Sequence, residues 1–289
     1  MKFDTNELPV GYGLSCIENY VMLLLKEYNK EWEYIFYKSY LSFFEIFDEF
    51  YIKKKQYSYF KKIPRLQEVG VELGKFNIRD IIKKNIKELF QQASIAAICV
   101  TPEYIEEKYK TRLWRDDHFI LLQNYNKDLY AYINDNPQDE GYLSLEELNK
   151  IFTGEAILFE MKNNSFTDEQ KKKMVQYFYE SVVNAEDNDD KTIFNGNIEI
   201  DMIRDMLGVL RVVVKRTAAF CNKYFNVDFL DEYYSSLDEY FAKLEYMRLR
   251  KRYSLEGLHE IVNNIYIKDN SIKKILTERL ANIYENDRK

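Results

Sequence analysis

Residues 118–162 read HFILLQNYNKDLYAYINDNPQDEGYLSLEELNKIFTGEAILFEMK. Three runs in this stretch, HFILLQNY, LYAYIND and AILFEMK, are short and rich in β-branched and aromatic residues, and a fourth, SIAAICV, precedes them at residues 94–100. Turn-forming residues separate the runs, and Asn126, Lys127 and Asp128 suit a hairpin between the first two. The sequence therefore predicts four strands between residues 94 and 162, with antiparallel neighbours.

Helices are predicted on both sides of these strands. Ser15, Ser144 and Thr167 each precede a Glu or Gln by three residues, which is the pattern of a helix N-terminus with a capping box. Beyond Lys162 the strand pattern disappears, and residues 203–221 carry apolar side chains at spacings of three and four. The predicted fold class is α+β, with an N-terminal helix and antiparallel sheet in residues 1–162 and an all-helical domain in residues 163–289.

Composition excludes several protein classes. The 289 residues are 46% hydrophobic and 31% charged, which is ordinary for a soluble globular protein, and nine Gly with four Pro leave little material for a many-turned all-β fold. The start, MKFDTNELPV, lacks a basic head and an apolar segment, so the expected location is the cytoplasm. A net charge of −6 argues against general nucleic-acid binding, and no apolar run approaches the roughly 20 residues needed to cross a bilayer, so neither nucleic acid nor membrane is expected as a partner.

Cys16 is the first candidate for chemistry. It follows the predicted N-cap Ser15, and a thiol at a helix N-terminus meets the positive end of the helix dipole, which favours the nucleophilic thiolate. The alternative is a small buried hydrophobe at a helix start. Cys99, Cys221 and His259 are interpreted as packing or surface residues, and no spacing in the sequence predicts a metal site.

His118 is one of two histidines, and it opens the first strand of the predicted hairpin. The second strand ends in Asn134 and Asp135, and pairing brings the outer ends of a hairpin together. Either residue can therefore orient the imidazole, completing a thiol version of a catalytic triad with Cys16. The alternative is that His118 and Asp135 are ordinary polar residues at a strand end and a turn.

The order of these segments resembles a known family. GYGLSCIENYVMLLL, SIAAICV, DHFILLQNYNKDLYAYINDNP and GYLSLEELNKIFTGEAILFEM follow one another as in the papain-like, bacteriocin-processing (double-glycine) cysteine peptidases, and they look closer still to acyltransferases of the butirosin biosynthesis protein H type. The resemblance covers about residues 8–162. It implies a papain-like fold with Cys16 as nucleophile, His118 as base and Asp135 as the orienting acid.

Two departures from the family pattern bear on the reaction. The peptidases carry a Gln six residues before the nucleophile, where this chain has Val10, so peptide hydrolysis is less expected than transfer from an activated thioester. Asn134 precedes Asp135, which leaves Asn134 as the alternative third member. Asp135 is preferred because it matches the family's acid before the Pro, with Asn136 intervening.

The resemblance implies an amide-forming, cysteine-dependent acyltransferase. Its acyl donor is carried on the phosphopantetheine arm of a carrier protein, its acceptor is a small amine, and no cofactor is bound. Such enzymes belong to specialised-metabolite pathways, including nonribosomal peptide-like antibiotics, with polythioamides as one conceivable product class. The rival hypotheses are a thioesterase or peptidase on the same fold, and a non-catalytic scaffold that binds a carrier protein.

A basic and aromatic stretch at residues 53–65 is a candidate dock for an acidic carrier protein, although most such runs are only solvated surface. Its basic residues are Lys53, Lys54, Lys55, Lys61, Lys62 and Arg65. Residues 248–252, Arg-Leu-Arg-Lys-Arg, are a second candidate of the same kind.

Overall fold

The computed structural model describes residues 4–8, 11–13, 15–29, 31–53, 63–82, 85–110, 118–126, 128–186 and 198–286. The chain divides into two compact units. Met1–Trp32 and Leu66–Ser165 form the sheet unit, and Glu33–Arg65 and Phe166–Lys289 form the helical unit. Helices and one antiparallel sheet make the fold α+β, as predicted.

The described elements follow in chain order. The helices are α1 (Cys16–Tyr28), α2 (Phe43–Phe47), α3 (Leu66–Glu72), α4 (Ile86–Phe90), α5 (Pro102–Tyr109), α6 (Leu145–Ile151), α7 (Asp168–Val183), α8 (Ile200–Cys221), α9 (Asp228–Arg250) and α10 (Leu255–Asn286). The strands are β1 (Phe76–Ile82), β2 (Ile95–Val100), β3 (His118–Asn126), β4 (Leu129–Asp135), β5 (Gln138–Ser144) and β6 (Phe152–Met161). Short 3₁₀ segments cover Thr5–Glu7 and Trp32–Lys38, and a π-helical turn covers Asp48–Ile52.

The six strands form one antiparallel sheet in the order β1-β6-β2-β3-β4-β5. The four predicted strands are confirmed as β2, β3, β4 and β6. The prediction missed β1 and β5, which are the two edge strands. All six residues of β2 are buried, so the apolar runs mark the middle of the sheet and not its edges.

Strand register decides which side chains share a face of the sheet. Leu122 pairs with Tyr132, so both lie on one face, and alternation places His118 and Asn134 on that face as well. Buried side chains of β2, β3, β4, β5 and β6 pack there against α4, α5, α6 and the residues at their ends. The cluster consists of Ile86, Leu89, Ala96, Ile98, Val100, Ile105, Ile120, Leu122, Tyr130, Tyr132, Leu143, Leu148, Ile151, Ala156 and Leu158.

The helical unit begins earlier than expected and is discontinuous in sequence. Its second part starts at Phe166, three residues after the predicted boundary at 163, but its first part, Glu33–Arg65, lies within the range predicted for the other domain. Phe43 and Phe47 of α2 are fully buried, and the Phe43 N–H donates to the buried Asp269 carboxylate of α10 at 2.7 Å. The burial of these two phenylalanines and the hydrogen bond to Asp269 place the segment Glu33–Arg65 in the helical unit.

Within the described residues, none of the helices has both the length and the apolar content required to cross a membrane.

Candidate active site

Cys16 is the first residue of α1 and is partly exposed. The Oγ of Ser15 accepts the N–H of Glu18 at 3.3 Å, which confirms the predicted N-cap. The N–H groups of the first helical turn have no partners within the helix and point towards its start. Cys16 therefore lies at the positive end of the α1 dipole.

His118 is hydrogen-bonded to Asn134. Its Nε2 lies 2.6 Å from the Asn134 Oδ1, and Asn134 is completely buried. The Asn134 Nδ2 donates to the carbonyl oxygen of Pro137 at 2.8 Å, in the turn that contains the cis Asn136–Pro137 bond. This second hydrogen bond fixes the orientation of the amide, with its oxygen towards the histidine.

The Asn134 amide also selects the tautomer of His118. An amide oxygen only accepts hydrogen bonds, so the Nε2 of His118 must carry the proton. The neutral ring then keeps its lone pair on Nδ1. Asn134 thus leaves Nδ1 as the atom that can accept a proton.

Asp135, the preferred third member in the sequence analysis, does not bind His118. Its Oδ2 accepts a hydrogen bond from the Asn19 Nδ2 at 2.9 Å, and its Oδ1 lies 3.4 Å from the hydroxyl oxygen of Tyr20. The reason is the alternation of side chains along β4, which turns Asn134 and Asp135 to opposite faces. The structure therefore places the alternative, Asn134, in the orienting position and joins Asp135 to α1.

The first turn of α1 is bonded to the strand ends that carry the His118–Asn134 pair. The Tyr20 hydroxyl donates to the backbone oxygen of Phe119 at 2.7 Å. Phe119 directly follows His118, and Asp135 directly follows Asn134. Residues 111–117, just before His118, lie outside the described residues.

Burial, with smaller contributions from the Asp135 carboxylate and Cys16, raises the pKa of Tyr20 well above its ordinary value. The phenol therefore stays protonated and remains a hydrogen-bond donor. Its role is to hold α1 against β3.

A second polar cluster lies beside Asn134, and the sequence analysis missed it. Asp139 of β5 is paired with Asn134 in the strand register, and its Oδ2 accepts hydrogen bonds from Tyr132 at 2.6 Å and Tyr109 at 2.7 Å. The Lys108 ammonium lies 2.8 Å from the same oxygen. It also donates to the hydroxyls of Tyr132 and Tyr104.

The ionic state of this cluster follows from its hydrogen bonds. Partial burial opposes charge on Asp139, but the hydrogen bonds from Lys108, Tyr132 and Tyr109 outweigh it and lower the pKa of Asp139. Burial also opposes charge on Lys108, yet its hydrogen bonds to Asp139 and the tyrosines raise the pKa of Lys108. Both groups are therefore charged at neutral pH. No sequence signal predicts the cluster, because its members come from α5, β4 and β5.

The turn before Cys16 packs closely on α1. A Cβ at Gly13 would overlap the Asn19 Oδ1 and lie 3.1 Å from the Asn19 backbone N, so any larger residue would displace the Asn19 side chain. Val10, at the position where the peptidases that the sequence resembles carry Gln, lies outside the described residues.

The other two cysteines are confirmed as core residues. Cys99 is 3% exposed and Cys221 is fully buried, and burial raises the pKa of the Cys221 thiol. His259 lies in α10 and is half-buried. Cys16 is thus the one cysteine of the three with appreciable exposure.

The predicted docking stretch is only partly described. Lys54, Lys55, Lys61 and Lys62 lie outside the described residues, and Arg65 is exposed just before α3. Lys53 forms ion pairs with Asp48 and with Glu49, the second at 2.9 Å. These carboxylates offset its charge, which weakens it as a contact for an acidic partner.

In the described part of the chain, no group of three or more His, Cys, Asp and Glu side chains is placed to hold a metal ion. No protein-family model matches the chain, and no curated protein is significantly similar to it.

Proposed function

We propose that the protein is a papain-like, cysteine-dependent acyltransferase that forms an amide. The acyl group would come from a carrier-protein thioester, pass through an acyl-enzyme on Cys16 and reach a small amine acceptor. The proposal places it in specialised-metabolite biosynthesis of the nonribosomal peptide type.

One observation carries this proposal. A capped helix start with a partly exposed cysteine is hydrogen-bonded to the same strand ends that hold a histidine oriented by a buried asparagine. Cysteine, histidine and an orienting amide or acid are the parts that nucleophilic thiol catalysis requires. The antiparallel sheet beside α1 is consistent with the fold that the family resemblance implies.

The proposed reaction has two steps. The His118 Nδ1 takes the proton of the Cys16 thiol, and the sulfur attacks the thioester carbonyl; the pantetheine sulfur leaves and receives that proton. The amine nitrogen then attacks the acyl group on Cys16 and gives one proton to His118. The Cys16 sulfur leaves and recovers that proton as the amide is released.

Each supporting residue has a separate task in this scheme. Asn134 keeps the proton on Nε2 and so keeps Nδ1 basic. Asp135 and Tyr20 hold the first turn of α1 at the ends of β3 and β4. Backbone N–H groups at the start of α1 supply hydrogen bonds to the developing oxyanion.

Two rivals make different predictions. A thioesterase or peptidase would discharge the acyl-enzyme to water instead of an amine. A scaffold that binds a carrier protein would form no acyl-enzyme, because Cys16 would be only a packing residue.

Intact mass spectrometry tests the proposal. The protein is mixed with acyl-pantetheine thioesters of several chain types and with an acyl-loaded carrier protein, and then with a panel of diamines and polyamines. We expect an acyl adduct on the wild type that disappears as amide product when an amine is added.

The variants Cys16→Ala and Cys99→Ala form a matched pair, since both remove one thiol, but Cys16 is partly exposed and Cys99 is buried. The adduct should persist in Cys99→Ala and be lost in Cys16→Ala. Discharge to free acid with every amine would instead support the thioesterase. Absence of an adduct, together with a Cys16 thiol as inert to alkylation as Cys221, would support the scaffold.

A further inference from the structure

The turn between α9 and α10 exposes an unusual set of apolar side chains. Tyr246 is 62% exposed, Leu249 73%, Tyr253 51% and Leu255 45%. They lie within ten residues of one another, on the last turn of α9, the connecting residues 251–254 and the first residue of α10. Residues 246–255 are called the tip below.

The tip is also basic. Arg248 pairs with Glu245 at 2.8 Å, whereas Arg250, Lys251 and Arg252 have no ion pair among the described residues. The Arg250 guanidinium instead lies 5.5 Å from the ring of Tyr246. Three exposed positive charges therefore stand beside four exposed apolar side chains.

From this combination we propose that the tip is a contact site for an anionic membrane surface. The Arg and Lys side chains would bind lipid phosphates, Leu249 would enter the acyl boundary, and the two tyrosines would lie at the headgroup level, where aromatic residues concentrate. The expectation of no membrane partner rested on the lack of a spanning segment and does not address such surface contact.

The size of the tip favours a lipid surface over a folded protein. A stable protein interface uses about 20–30 residues a side, but the tip offers about ten. A bilayer surface needs only a few basic residues and a shallow apolar insertion. Single-stranded nucleic acid would use the basic and aromatic residues but would leave Leu249 and Leu255 in water.

Sedimentation with lipid vesicles tests this site on the full chain. One vesicle preparation contains phosphatidylcholine only, and the other contains phosphatidylcholine with phosphatidylglycerol. We expect binding to the second at low salt and none to the first. The variant Arg250→Glu/Lys251→Glu/Arg252→Glu should lose about 100-fold in partitioning, since each of the three basic residues contributes about fivefold at such a surface.

Two matched controls separate the tip from overall charge and hydrophobicity. Lys162→Glu/Lys172→Glu/Lys274→Glu has the same net charge as the tip variant and should bind as the wild type does. Leu249→Ser should weaken binding, whereas Ile267→Ser, at a side chain 54% exposed on α10, should not.

Several results would overturn the proposal. One is wild-type protein that does not bind anionic vesicles. Another is a tip variant that binds these vesicles as strongly as the wild type does. Inorganic phosphate that competes fully would reduce the site to a simple anion site without an apolar component. Tip-dependent binding to single-stranded RNA without vesicle binding, or a dimer that the tip variant dissociates, would assign the surface to another partner. None of these outcomes depends on acyltransferase activity.

Discussion

At the scale of residues, two neighbours on β4 perform different tasks. Asn134 is buried and binds His118, whereas Asp135 binds Asn19 and Tyr20 of α1. The sequence analysis found both candidates but preferred Asp135, because a motif match carries no information about the face of the strand. The register of β3 against β4, with the alternation of side chains along each strand, places the His118 side chain on the same face of the sheet as Asn134.

The orientation of the His118 ring is testable by NMR. Because the chain has two histidines, nitrogen signals of the imidazole rings are readily assigned with a His259→Gln variant. We expect neutral His118 as the Nε2–H tautomer in the wild type and in Asp135→Asn. Asn134→Ala should give a mixture of tautomers, since the acceptor that selects one is gone. A wild-type ring protonated on Nδ1 would contradict the assignment.

The Lys108–Asp139 cluster predicts a pH dependence of stability. The pKa of Asp139 is lowered in the folded state, so its stabilisation is present above the unfolded pKa of about 3.9 and is lost as pH falls through the folded value. Asp139→Asn should lower the free energy of unfolding near neutral pH by about 1 kcal/mol, since the group is partly exposed. The deficit should shrink below about pH 4.

Urea denaturation across this pH range gives the measurement. Asp128→Asn is the control, because Asp128 is exposed and its Oδ1 lies 4.0 Å from the Lys87 Nζ, a distance too long for a hydrogen bond. If Asp139→Asn and Asp128→Asn changed the free energy of unfolding equally at every pH, the Lys108–Asp139 cluster would not stabilise the fold.

At the scale of elements, the helix caps and the apolar strands could be predicted from the sequence. The three capping residues all accept the expected N–H groups, and the strands rich in β-branched residues occupy the middle of the sheet. The edge strands β1 and β5 could not be predicted. Apart from one buried residue each, β1 and β5 consist of exposed and half-buried residues, and they carry Arg79, Asp80, Asp139 and Glu140, a composition that resembles a loop but protects a sheet edge.

The cap of α1 is predicted to matter for chemistry as well as for stability. Ser15→Ala, Ser144→Ala and Thr167→Ala each remove one cap, and each should cost about 1 kcal/mol of unfolding free energy. Only Ser15→Ala should also slow alkylation of Cys16, because α1 alone begins at that thiol. Equal Cys16 reactivity in all three variants would show that the helix start does not activate the thiol.

At the scale of the whole molecule, the chain folds as two units whose boundaries sequence reasoning placed only in part. The change from strands to helices near residue 163 was visible as a change of apolar period. The membership of Glu33–Arg65 in the helical unit was not, because it depends on contacts such as Phe43 with Asp269, 226 positions apart. Local patterns do not encode such a pairing.

This division predicts how fragments behave. Residues 166–289 alone lack α2, whose Phe43, Ile46 and Phe47 are fully buried in the intact chain. We expect this fragment to show no cooperative thermal transition by circular dichroism, and the same fragment joined to residues 33–65 through a flexible linker to regain one. A fragment of residues 166–289 with full cooperativity would contradict the assignment of 33–65.

The central claim is that Cys16 and His118 act as a pair, and the pH dependence of Cys16 alkylation by iodoacetamide tests it most directly. Buried Cys99 and Cys221 leave Cys16 as the reporting thiol. If His118 shares the proton of Cys16, Cys16 of the wild type should react at a pH well below that of an ordinary thiol. His118→Ala should move the pH profile of alkylation up to the ordinary thiol range near pH 8.5. His259→Ala should leave this profile unchanged. Identical profiles for the wild type and His118→Ala would contradict the account.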